Sequence, residues 1–324
     1  MLEEAIFQIS NEKEYEALAL QVFRYQYEHV SVYQEFCKHL KISKKSVQSL
    51  EDIPFLPIQF FKSHEILSNE KNHDLIFTSS GTTGSIPSKH FVAHRKLYEK
   101  SFLKGFQHYY GNPEDWTILA LLPSYLEREG SSLVYMVDAL IRKSHASESG
   151  FYLHNLDALL AKLKELEKKK QKTLLMGVSY ALLDLIEKEK LQLQHTVVME
   201  TGGMKGKRKE LVKEALHELL QEGFGVQNIH SEYGMTELLS QAYSKGQSEF
   251  GCPPWMKVLT RDTDDPFSYL KGKTGGINVI DLANLYSCSF IATQDLGKIL
   301  PNGNFKILGR FDESDIRGCN LMVL

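Results

Sequence analysis

From residue 75 onward, short runs rich in β-branched and apolar residues alternate with longer segments of helical spacing, and this alternation constrains the fold more than any other feature. The runs cover residues 75–78, 117–122, 173–176, 196–200 and 226–230. Strands separated by helical segments are typical of βαβ units, in which helices cover a parallel sheet. We therefore predict an α/β fold with mixed, mostly parallel sheets flanked by helices.

The two ends of the chain follow other patterns. Residues 1–70 have apolar residues at helical spacing, which predicts a helical lead-in. From about residue 250, strand-like pieces separated by Gly, Asp and Asn turns predict a smaller β-rich subdomain. We expect one domain over residues 1–308 that includes both, followed by a short hinge-like tail over residues 309–324.

Charge and cysteine content exclude several classes of protein. The 324 residues carry 38 Lys and Arg against 41 Asp and Glu, a formal net charge of −3, so no nucleic-acid partner is expected. Cys37, Cys252, Cys288 and Cys319 form no C-x-x-C pair, which argues against a zinc site or a disulfide framework. The first residues are acidic where a signal peptide is basic, and the apolar runs are too short to span a membrane. We expect a cytoplasmic protein with no membrane span.

The densest cluster of chemically informative residues lies at 78–89, with the sequence TSSGTTGSIPSK, directly after a predicted strand. Gly81 and Gly84 allow the backbone to turn so that N–H groups point inward, while the hydroxyls add donors and Lys89 supplies positive charge. This mixture is typical of a loop that binds phosphate, although a plain Ser/Thr/Gly loop is the alternative. The spacing differs from G-x-x-x-x-G-K-[ST], so the segment is not a Walker A loop.

Two further clusters follow predicted strands. Residues 231–237 (SEYGMTE) combine an aromatic ring, a glycine, a hydroxyl and a carboxylate, which suit a base, a phosphate oxygen and Mg²⁺. Residues 200–205 (ETGGMK) place two glycines where a backbone can approach a ligand closely. Because α/β sheets bind ligands at the carboxyl ends of their strands, both clusters are candidate site loops.

Together these clusters resemble the adenylate-forming, or acyl-activating, enzyme superfamily, which includes acyl-CoA synthetases, phenylacetate-CoA ligases and nonribosomal adenylation domains. Residues 78–89 resemble its phosphate loop, residues 233–237 its adenine and magnesium motif, residues 293–295 (TQD) its ribose motif, and residues 309–312 (GRFD) its hinge motif. The four motifs occur in the family's order. The resemblance implies the superfamily's large N-terminal domain and the use of ATP and Mg²⁺.

The resemblance also implies roles for individual residues. Thr236 and Lys89 are predicted to be catalytic, and Glu237 is the predicted Mg²⁺ ligand. The remaining predicted residues bind the phosphates, adenine or ribose of ATP: Thr78, Ser79, Ser80, Gly81, Thr82, Thr83, Gly84, Gly202, Gly203, Tyr233, Gly234, Asp295 and Arg310. Structural roles are the alternative, since Asp295 could cap a turn and Arg310 could pair with a surface acid.

Within the superfamily the chain is similar to the LuxE-like acyl-protein synthetases of bacterial fatty-acid reductase complexes. Residues 53–62 (IPFLPIQFFK) resemble the lead-in of that family, and Cys319 stands near the end of the sequence in the run RGCNL. The resemblance implies an AMP-forming acid–thiol ligase that activates a fatty acid or other carboxylic acid as an acyl-adenylate. It further implies transfer to Cys319 as a thioester, for delivery to an acyl reductase or acyltransferase partner.

Two features depart from the family pattern. The sequence ends at residue 324, soon after Asp312, so the superfamily's mobile C-terminal lid is expected to be missing or vestigial. Lys89 or Lys205 could replace the lysine that the lid supplies. In the phosphate loop, Ser88 separates Pro87 from Lys89.

Two alternative functions stay open from the sequence. The chain could be an acyl-CoA or acyl-carrier ligase of the phenylacetate-CoA ligase type, in which Cys319 has no role. It could instead be a non-catalytic nucleotide- or acyl-binding partner of a reductase complex. Free thiol acceptors distinguish the first alternative, and ATP binding without pyrophosphate exchange distinguishes the second.

Overall fold

The structure is a computed structural model that describes residues 2–80, 86–124, 129–202, 208 and 211–310. Its helices, in chain order, are α1 (Leu2–Ile6), α2 (Glu12–His29), α3 (Ser31–His39), α4 (Phe60–Ser63), α5 (Arg95–Tyr110), α6 (Ser132–Ser144), α7 (Leu156–Lys168), α8 (Ser179–Lys188) and α9 (Lys213–Phe224). Its strands are β1 (Leu56–Pro57), β2 (Leu75–Thr78), β3 (Lys89–Val92), β4 (Thr117–Leu121), β5 (Gly150–Phe151), β6 (Thr173–Val178), β7 (Thr196–Thr201), β8 (His230–Tyr233), β9 (Ala242–Ser244), β10 (Phe250–Gly251), β11 (Met256–Arg261), β12 (Gly275–Asp281), β13 (Phe290–Ile299) and β14 (Phe305–Arg310).

These elements fall into two compact units. The first unit is formed by the described residues of Met1–Tyr98, Glu237–Ser240 and Gly251–Leu324. The second unit is formed by those of Glu99–Thr236 and Gln241–Phe250. The first unit therefore contains both ends of the described chain, whereas the second contains most of the alternation between strands and helices.

The second unit is built on a parallel sheet in which β5, β4, β6, β7 and β8 are neighbours in that order. β9 pairs with the other side of β8 and runs antiparallel to it. Helices α6 to α9 connect consecutive parallel strands, because such strands need a crossover. Leu119, Leu175 and Val198 lie on three adjacent strands and are fully buried, so this sheet forms the core of the unit. The predicted α/β class is confirmed.

Amphipathic helices cover the sheet of the second unit, as α7 illustrates. Leu159, Leu163 and Leu166 recur at helical spacing in α7, and all three are buried. The helix begins where the Asn155 side chain accepts a hydrogen bond from the Ala158 amide at 3.0 Å. Burial of the apolar stripe removes hydrocarbon from water, which stabilises the helix against the sheet.

The first unit combines the N-terminal helices with an antiparallel sheet. Strands β11, β12, β13 and β14 pair in sequence order, and β1 pairs with β13 in parallel. The side-chain amide of Gln26, in α2, is fully buried and donates to the carbonyls of Asn284 (3.0 Å) and Leu285 (2.9 Å). The helical N-terminal segment and the β-rich segment therefore share one core.

Two of the predicted strands differ from the structure. The run at 75–78 forms β2, but β2 pairs antiparallel with β3 instead of joining the parallel sheet. The run at 226–230 is strand only from His230. Helix α9 ends at Phe224, Gly225 caps it with a φ of 65° that turns the chain, and the residues after it return the chain to the sheet. Tyr233 is consequently the last residue of β8, not a loop residue. Within the described ranges, no helix has the length and apolar composition needed to cross a membrane.

Candidate functional site

In the first unit, the arms of the predicted phosphate loop are held by a two-stranded sheet. Thr78, the last residue of β2, pairs with Lys89, the first residue of β3. Beyond this pair the Ser79 amide donates to the Ser88 carbonyl (3.1 Å), and the Ser88 amide donates to the Ser79 hydroxyl (2.9 Å). The two arms are therefore fixed to each other where the loop begins and ends.

Exposure differs along this loop segment. Ser80 and Lys89 are exposed, while Thr78 and Ser79 are partly buried. The predicted phosphate-binding residues between the arms, Gly81, Thr82, Thr83 and Gly84, lie outside the described residues. At the base of the loop, the exposed Lys89 amine and Ser80 hydroxyl are therefore available to a ligand.

Glu237, the predicted Mg²⁺ ligand, is a buried residue of the first unit with 6% exposure. Its carboxylate accepts a hydrogen bond from the Ser88 hydroxyl, and its backbone carbonyl accepts one from the Asn284 side-chain amide at 2.7 Å. Burial raises the pKa of the Glu237 carboxyl, and the Ser88 hydrogen bond opposes that rise. A buried carboxylate held by a neutral hydroxyl is suited to a cation, since a cation would offset the cost of burying the charge.

The segment that carries Glu237 is anchored by Asp281, at the end of β12. The Asp281 carboxylate accepts hydrogen bonds from the amides of Leu239 (2.7 Å) and Ser240 (2.9 Å) and from the Ser240 hydroxyl (2.6 Å). Burial raises the pKa of Asp281 to about 6, although these hydrogen bonds lower it. Asp281 thereby fixes the backbone that follows Glu237.

Asp295 and Arg310, the predicted ribose-binding pair, face each other across β13 and β14 of the first unit. The Arg310 Nε atom lies 3.3 Å from Asp295 Oδ1, and the Asp295 side chain is 10% exposed against 65% for Arg310. The positive charge of Arg310 lowers the pKa of Glu237, and the negative charge of Asp295 raises it, so the three groups act on one another electrostatically. The alternative role for Arg310 was a pair with a surface acid. Arg310 does pair with an acid, but that acid is Asp295, the other predicted ribose-binding residue.

In the second unit, Tyr233 ends strand β8 and Gly234 follows it. The Tyr233 ring packs against the Phe250 ring, with 5.8 Å between centroids and 59° between planes. A Cβ atom at position 234 would collide with the Glu232 carboxylate, so the glycine leaves space for that group. Burial raises the pKa of Glu232 to about 7, and a hydrogen bond from the Thr201 hydroxyl (2.6 Å) opposes the rise.

Gly202 directly follows β7, the strand next to β8. Its φ of 67° lies in the left-handed region, which an L-residue rarely adopts, and its carbonyl accepts a hydrogen bond from the Ser179 hydroxyl at 2.7 Å. Thr201 and Glu232 are in register, so β7 and β8 end at the same edge of the sheet. Thr236 is partly exposed beyond this edge, whereas Gly203 lies outside the described residues.

A buried ion pair lies behind this edge of the second unit. Glu200, in β7, is 4% exposed, and its Oε1 atom lies 2.8 Å from Lys213 Nζ and 3.5 Å from His217 Nε2. Burial by itself would raise the pKa of Glu200, but hydrogen bonds from His217 and Lys213 and the charge of Lys213 together lower it to about 2. The carboxylate is therefore charged and neutralised within the protein.

The structure adds four residues that the sequence interpretation assigned no role. Ser88 is the residue that departs from the family pattern, and that departure was its signal in the sequence. Lys213 and His217 are four residues apart in α9, on the face that also buries Leu220, which marks them as inward-facing. Glu200 was visible as the first residue of a candidate loop.

A family model described as "Acyl-protein synthetase, LuxE" matches residues 4–324. The chain belongs to this family. The family resemblance, the fold and the enzyme class expected from the sequence, an AMP-forming ligase, are confirmed. The chain is 23% identical over 325 aligned positions to the long-chain-fatty-acid–luciferin-component ligase of Vibrio harveyi, covering 92% of this chain and 84% of that one.

Solved structures show the same fold. The 2-hydroxyisobutyryl-CoA ligase solved with 2-HIB-AMP and CoA superposes with a TM-score of 0.67 at 14% identity, covering 94% of this chain and 72% of that chain. ATP-bound MatB from Rhodopseudomonas palustris superposes with a TM-score of 0.54 at 20% identity, covering 72% of this chain. The match spans 47% of the MatB chain, about half of its length. At these identities the likeness establishes the fold.

Proposed function

We propose that the chain activates a long-chain fatty acid with ATP and transfers the acyl group to its own Cys319. In the first step a carboxylate oxygen attacks the α-phosphorus of ATP, which forms the acyl-adenylate and releases pyrophosphate. In the second step the thiolate sulfur attacks the acyl carbon, which forms the thioester and releases AMP. Membership of the acyl-protein synthetase family over residues 4–324 is the observation that carries this proposal.

Residues of the first unit would bind the phosphates, the metal and the ribose. The carboxylate and ATP are both anions, so the first step needs positive charge and N–H donors around the phosphates. Residues 78–84 and Lys89 would supply these, and Asp295 with Arg310 would bind the ribose hydroxyls. Glu237 would hold Mg²⁺, which neutralises phosphate charge when it is bound.

The chemistry of Glu237 fits such an ion. Among the described residues, no group of three or more His, Cys, Asp or Glu side chains is arranged as a metal site. Mg²⁺ in nucleotide enzymes is usually held by one or two carboxylates together with substrate phosphates and water. A single buried carboxylate such as Glu237 meets that requirement.

Residues of the second unit would bind the base and the α-phosphate. Tyr233 would lie against adenine, flanked by the glycines at 202, 203 and 234, and Thr236 would contact the α-phosphate. The partial exposure of Tyr233 and Thr236 supports these roles, because both groups are accessible to a ligand.

The family resemblance assigns the acyl acceptor to Cys319, which lies outside the described residues, and the described cysteines are poor nucleophiles. Burial raises the pKa of the Cys37 and Cys252 thiols to about 12, and it raises that of Cys288 further. With a pKa of about 12, less than about one thiol in ten thousand is ionised at neutral pH, whereas a free thiol with a pKa of about 8.5 is ionised to a few per cent. The thioester would pass to an acyl reductase or acyltransferase. The fatty-acid class is supported by the name of the Vibrio harveyi relative.

Covalent labelling tests this proposal. Purified wild type, Cys319→Ser and the matched control Cys252→Ser are incubated with ATP, Mg²⁺ and radiolabelled fatty acids of several lengths. We expect hydroxylamine-sensitive label on wild type and on Cys252→Ser, and none on Cys319→Ser. Equal label on Cys319→Ser would contradict the assignment of the acceptor.

The same samples distinguish the alternative functions. Pyrophosphate exchange without protein label, together with acyl transfer to added CoA, would favour the CoA-ligase function. ATP binding without exchange would favour a non-catalytic partner of a reductase.

A further inference from the structure

The Glu200–Lys213 ion pair of the second unit has no part in the reaction proposed above, yet it is more buried than a surface pair. Glu200 lies at the carboxyl end of β7, one residue before the register pair of Thr201 and Glu232. The cost of desolvating its carboxylate is offset by Lys213 Nζ at 2.8 Å. Lys213 is the first residue of α9, where its side chain reaches back over the strand end.

Lys213 also contacts an aromatic ring. Its Nζ atom lies 4.6 Å from the centroid of the Phe250 ring, within the range of a cation–π interaction. Phe250 is 1% exposed, and its ring is the one that packs against Tyr233 at 5.8 Å. One cation is therefore held between a carboxylate that fixes it and an aromatic ring that supports the tyrosine.

We propose that Lys213 is a positioning residue for nucleotide binding, which acts through Phe250 to fix the orientation of the Tyr233 ring. The inference rests on the proposed function, in which Tyr233 lies against adenine. It deepens that function by assigning part of the affinity for the adenine base to a cation that does not contact the nucleotide.

The physical basis is the preference of a cation for the face of a ring. With Nζ fixed by Glu200, the Phe250 ring keeps its face toward Lys213, because rotation of the ring would lose the attraction to its π electrons. The tilted packing of Tyr233 on Phe250 then limits the orientations of the tyrosine. A ligand that stacks on a pre-oriented ring loses less conformational entropy on binding.

Two variants test this without leaving an unpaired buried charge. Phe250→Leu removes the ring but keeps the Glu200–Lys213 pair. The double variant Glu200→Gln, Lys213→Met removes the cation together with the carboxylate that needs it. Lys213→Arg retains a cation, and Lys190→Met is a matched control, since it breaks an exposed pair with Glu222 in the same unit.

The measurement is fatty-acid-dependent ATP–pyrophosphate exchange, with KM for ATP, KM for pyrophosphate and kcat determined separately, and with thermal unfolding of each protein. We expect both test variants to raise KM for ATP about fivefold, with kcat and KM for pyrophosphate within about twofold of wild type. Lys213→Arg and Lys190→Met should keep KM for ATP within about twofold. If the double variant fails to fold, Phe250→Leu decides the result.

A purely structural role predicts a different pattern. A lower unfolding temperature with KM for ATP unchanged in the folded variants would overturn the inference while the proposed function stands. A fall in kcat at constant KM would overturn it as well. Wild type that shows no exchange would overturn the proposed function, and the inference with it.

Discussion

Glu200 in the second unit and Glu237 in the first are both buried carboxyls next to predicted ligand-binding loops, but their pKa values are shifted in opposite directions. Glu200 is bound by Lys213 and His217, and its pKa is lowered to about 2. Glu237 is bound by the neutral Ser88 hydroxyl, and burial raises its pKa. The difference separates a carboxylate that is neutralised within the fold from one that is suited to an added cation.

The comparison shows that burial and acidity alone do not identify a metal ligand. Both carboxyls are less than a tenth exposed, and both lie in motifs rich in glycine and hydroxyl residues. Their partners distinguish them, because a buried charge must be balanced by a counter-charge, by hydrogen bonds or by an ion. We therefore expect Glu200 to stabilise the fold and Glu237 to have the metal-binding role proposed above.

The largest expected effect comes from removing the cation beside Glu200. Lys213→Met removes the cation nearest to the buried carboxylate and leaves the longer contacts to the Ser179 hydroxyl at 3.4 Å and to His217 at 3.5 Å. We therefore expect a loss of about 3 kcal/mol in the free energy of unfolding. Urea unfolding measures this loss. The exposed pair partner Lys190 provides the control, since Lys190→Met should change stability by less than about 1 kcal/mol.

Lowering the pH tests the same comparison, because the contributions of the two carboxyls to the free energy of unfolding should change with opposite sign. The folded pKa of Glu200, about 2, is below its unfolded value of 4.5, so its stabilisation is present above pH 4.5 and is lost as pH falls toward 2. Between pH 4.5 and pH 3 we expect wild type to lose about 1.5 kcal/mol more than Glu200→Gln. Glu237, with a raised folded pKa, contributes stability at low pH that is lost as pH rises.

Equal acid sensitivity of wild type and Glu200→Gln in urea unfolding would contradict the assignment of a charged, stabilising Glu200. For Glu237→Gln at pH 7, we expect the free energy of unfolding to be unaltered or increased, because a neutral amide replaces a buried carboxylate.

Ser88→Ala tests the hydroxyl that holds Glu237. The Ser88 hydrogen bond lowers the pKa of Glu237, so its removal should raise that pKa further and leave more of the carboxyl protonated. We expect about tenfold slower pyrophosphate exchange at pH 7, and an acid limb of the pH–rate profile shifted to higher pH. A lower rate with an unshifted profile would show that Ser88 acts by another route.

The smallest expected effect is that of Gly234→Ala. The new methyl group would collide with the far end of the Glu232 side chain, which can move, so we expect a loss of about 0.5 to 1 kcal/mol. In a Glu232→Ala background the obstacle is gone, and the cost of Gly234→Ala should fall to nearly zero. A cost that persists there would place its origin in the backbone at position 234.

The fold could be predicted in class because helical and strand periodicities are local. The parallel strands at 117–122, 173–176 and 196–200 appear in the structure within one or two residues. The pairing of β2 with β3 was missed because Lys89–Val92 was not identified as a strand, so the run at 75–78 was assigned to the parallel sheet. The N-terminal helices pack with the β-rich segment through contacts such as Gln26 to Asn284, which are more than 250 residues apart and leave no local pattern.

Where candidate site residues belong to a contiguous motif, the sequence places them near the ends of strands: Gly202 follows β7, although Tyr233 is still within β8. The pairing of Asp295 with Arg310 was not predicted, since both were expected to bind ribose or, for Arg310, to pair with a surface acid. Ser88 and Lys213 were not assigned roles, because each acts on a carboxylate distant in sequence or across a loop. Their roles follow from the tertiary fold, which brings each donor to its carboxylate.

The most direct test measures activity and stability together on Glu237→Gln and Glu200→Gln. At pH 7 we expect fatty-acid-dependent ATP–pyrophosphate exchange to be reduced about a hundredfold or more in Glu237→Gln. The free energy of unfolding of this variant should be unaltered or increased. Glu200→Gln should unfold at lower urea concentration, and its kcat for exchange should stay within about threefold of wild type. Retained exchange in Glu237→Gln, or loss of kcat in folded Glu200→Gln, would contradict the division of roles between the two carboxyls.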